Sequence, residues 1–171
     1  MYNTVIRNTI RFVVLFLLQV LIFDNLRLGS FIHPYVYVLF IMMLPFETPQ
    51  WKVMINAFLI GFVVDIFNGT PGLHAAATVF LAFVRPFVIG ITTRKSDLED
   101  KTEPSVSEMG LKWFIVYGLI LLILHNLSLF MLEAFSIRLF GLVLLEVLCS
   151  VPISLVFIIL IIYILKPVKN K

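Results

Sequence analysis

The stretch Gly61-Phe-Val-Val-Asp65-Ile-Phe-Asn68-Gly69-Thr70-Pro71-Gly72-Leu73-His74 decides how this chain reads. Apolar runs lead into it and out of it, and its centre is a Gly- and Pro-rich turn. The pattern predicts two apolar helices joined at one end. Asp65 and His74 flank the turn among residues otherwise suited to lipid. Ionisable side chains at membrane depth are costly, so they mark a buried contact or a functional site.

The rest of the chain agrees with a lipid setting for that hairpin. Of 171 residues, 61% are hydrophobic and 13% charged, with a mean hydropathy of +1.06. Soluble domains are about half apolar and about a quarter charged. The composition predicts an integral membrane protein with nothing left for a soluble domain. A sequence pI near 9.1 does not point to nucleic acid, because Lys and Arg stand at the ends of the apolar runs. The single Cys149 excludes an internal disulfide and a cysteine metal site. Arg7 and Arg11 followed by Phe12 to Phe23 have the look of a signal peptide. They lack a small-x-small cleavage site, and Asp24-Asn25-Leu26-Arg27 follows, which predicts a retained first helix.

Six apolar segments can be drawn, over residues 9–26, 31–46, 51–67, 73–92, 111–132 and 139–165. Open backbone groups have no partner in a bilayer, and the runs lack the alternation of barrel strands, so the predicted fold is an all-α, six-helix membrane bundle. Several segments fall below the roughly 20 residues of an upright span, which calls for bilayer thinning or snorkelling. Pro45 and Pro49 bracket one turn, Pro71 lies in another and Pro167 follows the last segment. Pro86 and Pro152 fall inside segments, where they kink a helix.

The positive-inside rule orients the bundle. With the N-terminus inside, the inner segments hold Arg7, Arg11, Lys52, Arg94, Lys95, Lys101, Lys112, Lys166, Lys169 and Lys171, and the outer loops only Arg27 and Arg138. This predicts both termini in the cytoplasm. The long polar loop, residues 93–110, reads as a solvated cytoplasmic connector or as a docking site for a cytoplasmic partner.

At about 1.5 Å of rise per residue, Asp65 stands about 20 Å above Lys52, and His125 and Asn126 about 20 Å above Lys112. By the same register Asn68, His74 and Glu146 fall at this outer level. Three stripes recur at helical spacing: Ala57, Gly61, Asp65 and Gly69; His74, Thr78, Ala82 and Arg85; Glu146, Ser150 and Ser154. Small residues at this spacing let helices approach closely in lipid. The stripes either pack this bundle or form a groove for another protein's helix. Depth separates Asp65 from Arg85, so Asp65 is expected to meet His74 or backbone donors and Arg85 to snorkel inward.

Chemistry is sparse. His33, His74 and His125 show no metal-ligand spacing, and no nucleotide, zinc-hydrolase or nucleophile-elbow motif is present. Ser128 lies three residues from His125, a spacing common by chance, and His33 before Pro34 reads as an interface residue. The sequence predicts no catalytic site, cofactor or metal.

Several features together resemble the MreD family, small membrane proteins of the bacterial rod-shape machinery. They are a basic residue before the first helix, Pro34 and Pro45 at the ends of the second, and Gly61-x-x-x-Asp65 followed by Asn68-Gly69-Thr70-Pro71-Gly72-Leu73-His74. The resemblance covers nearly the whole chain. It implies direct binding of MreC, a single-span protein with a periplasmic domain. Through MreC it implies a place beside the actin-like MreB, a glycan polymerase and a penicillin-binding transpeptidase. It also implies a fold similar to the substrate-binding subunits of energy-coupling-factor transporters, a kinship that does not carry function. The candidate partner-binding or structural residues are Ala57, Gly61, Asp65, Asn68, Gly69, Pro71, Gly72, His74, Arg85, His125 and Glu146. The alternative is a transporter subunit that captures a small molecule in an outer cavity. Such subunits often carry an Ala-x-x-x-Ala face on the first helix, and Phe12 to Phe23 here has no small-residue stripe, which favours the scaffold.

Overall fold

The computed structural model describes residues 2–26, 28–29, 31–94, 98 and 101–164. Arg27, Ser30, Lys95, Leu165, Lys166, Pro167, Lys169 and Lys171 lie outside the described residues. Among those described there is no strand. The helices are α1 (Tyr2–Leu21), α2 (Val38–Met42), α3 (Gln50–Asn68), α4 (Leu73–Thr92), α5 (Val106–Met109), α6 (Leu111–Ala134) and α7 (Phe140–Ile164). Five of them, α1, α3, α4, α6 and α7, are long and apolar enough to cross a membrane. Helices α3, α4, α6 and α7 pack in sequence, each on the next, and α1 lies on α3. The short α2 is wholly buried and touches α1, α3, α4 and α6.

The second apolar segment is not the helix expected over 31–46, since only Val38–Met42 is helical. Pro34 supplies no N–H and disfavours helical geometry at His33. Beyond it the chain runs extended. The His33 N–H donates to Ser150 Oγ and the Tyr35 N–H to Ser154 Oγ, both at 3.0 Å. Those serines lie one helical turn, about 6 Å, apart on α7, so two residues of chain advance by about 3 Å each. An extended backbone in a bilayer must be satisfied by protein. Gln19 of α1 meets further groups of this stretch. Its Oε1 accepts from the Val36 N–H at 2.8 Å, and its Nε2 donates to the Pro34 carbonyl at 3.1 Å.

The C-terminal end of the segment is held from the other side. The Arg85 guanidinium donates to the Leu44 carbonyl and to the Tyr117 hydroxyl, and that hydroxyl donates to the Met42 carbonyl at 3.1 Å. These are carbonyls at the end of α2 that have no partner in the helix, and a cation is favourable there. Arg85 is therefore buried and does not snorkel to water. Pro86 lies inside α4, as expected, and the carbonyl its ring leaves unbonded, that of Ala82, accepts from Gln50 Nε2 at 2.7 Å.

Residues 103–105 correct the reading of the polar loop as simply solvated, for all three are buried. The Glu103 carboxylate accepts from Arg7 and Arg11 of α1. Ser105 caps α5 by accepting from the Glu108 N–H. Glu108 in turn takes the Thr102 N–H at 2.6 Å and the Glu103 N–H at 3.1 Å, a variant of the capping box. Burial acts to raise the Glu108 carboxyl, but hydrogen bonds from Glu103 and Thr102, with Lys101 nearby, hold it below the usual carboxylate range.

Candidate functional site

The hairpin quoted at the outset builds an unusually well-bonded turn. Helix α3 ends at Gly69, whose φ of 67° and N–H bond to the Asp65 carbonyl make a left-handed cap. Gly72, at φ 83°, reverses the chain into α4. Asp65 then reaches across. Its Oδ1 accepts from the His74 N–H at 3.0 Å and its Oδ2 from the Ala75 N–H at 2.9 Å. The His74 ring lies with Nδ1 3.0 Å from the same Oδ1, and the Thr70 hydroxyl donates to it as well. A carboxylate of one helix thus caps the open N-terminus of the next, where the dipole favours negative charge. It bonds both the amides and the imidazole, and it is 2% exposed.

Below this turn the two helices touch backbone to backbone. A Cβ built on Gly61 would stand 2.6 Å from Ala75 Cα. One turn inward, the Thr78 hydroxyl donates to the Ala57 carbonyl at 2.9 Å. Ala57 and Gly61 are therefore taken up in packing α3 against α4, and they leave no room there for a foreign helix.

The remaining candidates divide. His74 and His125 both lie edge-on or tilted against Tyr35 and Tyr37, and His125 Nε2 is 3.0 Å from the Tyr37 hydroxyl. His125 Nδ1 faces Asn126 Oδ1 at 3.1 Å. These groups form one buried cluster around the extended segment. Asn68, Gly69 and Pro71 are exposed on the turn. Glu146 is half-buried on α7, where the charges that act on it are Glu133 and His33. No hydrogen bond joins it to the cluster among the described residues. Ser128 donates to the His125 carbonyl at 2.8 Å and not to its ring, so that pair has no nucleophile geometry.

Two cavities flank the turn. A small polar one, about 260 Å³, opens beside the turn and includes His33, Asn68, Thr70, His74 and Glu133 in its walls. The other is an open groove of about 830 Å³ along the exposed side of α3 and α4. Gly72, Ala75, Ala76 and Val79 line its α4 side, Phe58, Phe62, Phe80 and Phe83 project into it, and Asp65 and Thr70 stand at its outer end. Phe58 and Phe62 stack at 5.5 Å.

Compared with protein-family models, curated proteins and solved structures, the chain matches none.

Residues that the sequence did not single out carry much of this architecture: Gln19, Tyr35, Tyr37, Thr70, Tyr117 and Glu103. Gln19 had a signal, as the lone polar residue deep in an apolar run. Thr70 looked like ordinary turn chemistry.

Proposed function

We propose that this chain is a noncatalytic membrane scaffold of the MreD kind, which docks the single span of MreC in the groove between α3 and α4. The observation that supports this reading most is the groove itself. Lipid gives helices no hydrophobic reason to associate, so docking depends on close packing against small residues and on interhelical polar contacts. The groove offers both: Ala75 and Ala76 flanked by phenylalanines, and a polar outer end fixed by Asp65. Through MreC the protein would act beside MreB, the glycan polymerase and the penicillin-binding transpeptidase in lateral wall synthesis.

In this reading residues 31–46 make the sixth crossing, in the manner of the energy-coupling-factor substrate-binding subunits. Sixteen residues of helix span only about 24 Å. An extended outer half at about 3.3 Å per residue brings the total to about 38 Å, enough to cross the roughly 30 Å of the hydrocarbon core. Six crossings, with ten Lys and Arg inside against two outside, support cytoplasmic termini in the inner membrane.

A second reading, a transporter subunit that captures a small molecule, draws on the polar outer cavity. At about 260 Å³ it falls short of the roughly 300–1,000 Å³ of ordinary ligand sites.

The deciding experiment is recovery of MreC with the full chain in mild detergent, read by mass spectrometry, for wild type and Ala76→Trp. Ala76 is exposed on the groove's wall, so the indole fills the groove without entering the bundle. Loss of MreC at unchanged chain level supports the reading. Full recovery with Ala76→Trp removes the groove from it, and a co-purifying small molecule without MreC favours the transporter.

A further inference from the structure

A third cavity, about 560 Å³, lies at the opposite end of the molecule, between α1, α7 and the loop that carries α5. Farther along, the turn that follows α1 meets α7 where Phe23 lies edge-on to Phe157 at 4.9 Å. The cavity has two chemically distinct parts. Arg7, Arg11, Ser105 and Ser107 stand at its polar end, while Ile10, Val14, Leu39 and Ile162 line the rest. On α1 alone, the nine residues from Arg7 to Leu15, eight helical rises, give it a depth of about 12 Å.

The charges at the polar end are unequally engaged. Glu103 is buried and bound by both arginines. Glu108 is taken up by the Thr102 and Glu103 N–H groups and the Thr102 hydroxyl. Each carboxylate thus accepts three hydrogen bonds within the protein. Arg7 is half-exposed and, among the described residues, engages Glu103 through Nη2 alone, and a guanidinium has five donors. What this end offers is the unengaged face of that guanidinium beside Ser105 and Ser107, whose hydroxyls bond each other at 2.9 Å while Ser105 also accepts from the Glu108 N–H. The rim is also fixed in advance, since the Phe46 N–H donates to the Thr102 carbonyl at 3.0 Å.

We propose that this cavity holds one glycerophospholipid, its phosphate at Arg7 and the neighbouring serine hydroxyls and one acyl chain between α1 and α7. Basic pockets between helices at the membrane boundary suit phosphate headgroups, and only an amphiphile fills both parts at once. The site stands apart from the α3–α4 groove, so lipid retention is measured without any partner protein.

The test is native mass spectrometry of the full chain in mild detergent, titrated with palmitoyl-oleoyl-phosphatidylglycerol. One lipid per chain should be retained by wild type. Arg7→Gln, and separately Ile10→Trp in the apolar part, should each weaken retention by about tenfold, equivalent to about 1.4 kcal/mol, with helical content unchanged. Glycerol phosphate, which has the headgroup chemistry without chains, should not displace the lipid. A photoreactive acyl-chain analogue on the unaltered chain should label residues 6–15 or 160–163. Equal retention by all three chains, displacement by glycerol phosphate, or labelling confined to other segments each overturns the proposal.

Discussion

The hairpin of α3 and α4 and the segment at residues 31–46 are neighbours in one bundle, yet they satisfy their backbones by opposite means. In the hairpin the helices close their own hydrogen bonds except where Pro86 frees the Ala82 carbonyl for Gln50, so the sequence is free to use small residues, and Gly61 lets the two backbones meet. In the other segment the outer half has no internal ladder. Its amides and carbonyls are bonded by Gln19 of α1 and by Ser150 and Ser154 of α7, and the end of α2 by Arg85 of α4 and Tyr117 of α6. Polar residues in this apolar core are thus concentrated where the backbone fails to help itself. They are what a helix replaced by a longer-reaching, extended stretch requires.

Gln19→Leu should break the contrast most severely. It strips partners from the Val36 N–H and the Pro34 carbonyl together, and each unsatisfied buried group costs about 1–3 kcal/mol. The expected outcome is loss of monodisperse protein in size-exclusion chromatography. If Gln19→Leu is as stable to heat as wild type, the extended stretch does not depend on side chains from outside.

Gly61→Leu should come next, because any Cβ there runs into the Ala75 backbone. Overpacking costs about 1–3 kcal/mol, read as a lowered unfolding temperature in detergent. Val63→Leu, half-buried on another face of the same helix, should be mild. Matching losses from the two substitutions would remove any special role for close approach.

Asp65 tests whether the hairpin is as self-sufficient as it looks, for its turn relies on one carboxylate. Asp65→Leu leaves two amides of α4 uncapped, and losing a cap costs about 0.5–2 kcal/mol. Asp65→Asn keeps part of the bonding and should fall between. MreC recovery should follow the order wild type, Asn, Leu. Retention of full recovery by Asp65→Leu and His74→Ala at normal protein levels would show that the turn does not hold the docking groove.

Ser154→Ala should have a smaller effect, since it removes a single bond worth about 1 kcal/mol, seen as faster amide exchange at Tyr35. Smallest is the pH response of the loop. Glu108 is held below its ordinary range in the folded chain, so its contribution is present above the unfolded carboxylate pKa and lost as pH falls through the folded value. Proteolysis within residues 101–110 should rise in that acidic window and not near neutrality. Glu108→Gln should remove the dependence.

Much of the hairpin was legible. Gly61, Asp65 and Gly69 recur every four residues and His74 opens the next helix just past the turn, so contact of Asp65 with His74 and with free amides followed from local geometry. The second segment was not legible, because the signal for it was split. Pro34 reads as a helix start, and the groups that hold the segment, Gln19 and Ser154, are separated from it by 15 and 119 residues in sequence. Arg85 misled for a related reason. An arginine one residue before a proline in an apolar helix looks bound for water until the carbonyls of Met42 and Leu44 are seen beside it.

By itself the sequence determined that this is a helical membrane protein with a polar turn between its third and fourth apolar segments. Composition and period are properties of the chain alone, and the bilayer admits few answers to them. Only the tertiary structure decided that residues 31–37 leave the helix, that Arg85 stays buried, and that the loop at Glu103 folds back on α1. Each of these depends on a hydrogen-bond partner brought from a distant helix, and no local pattern encodes which partner arrives.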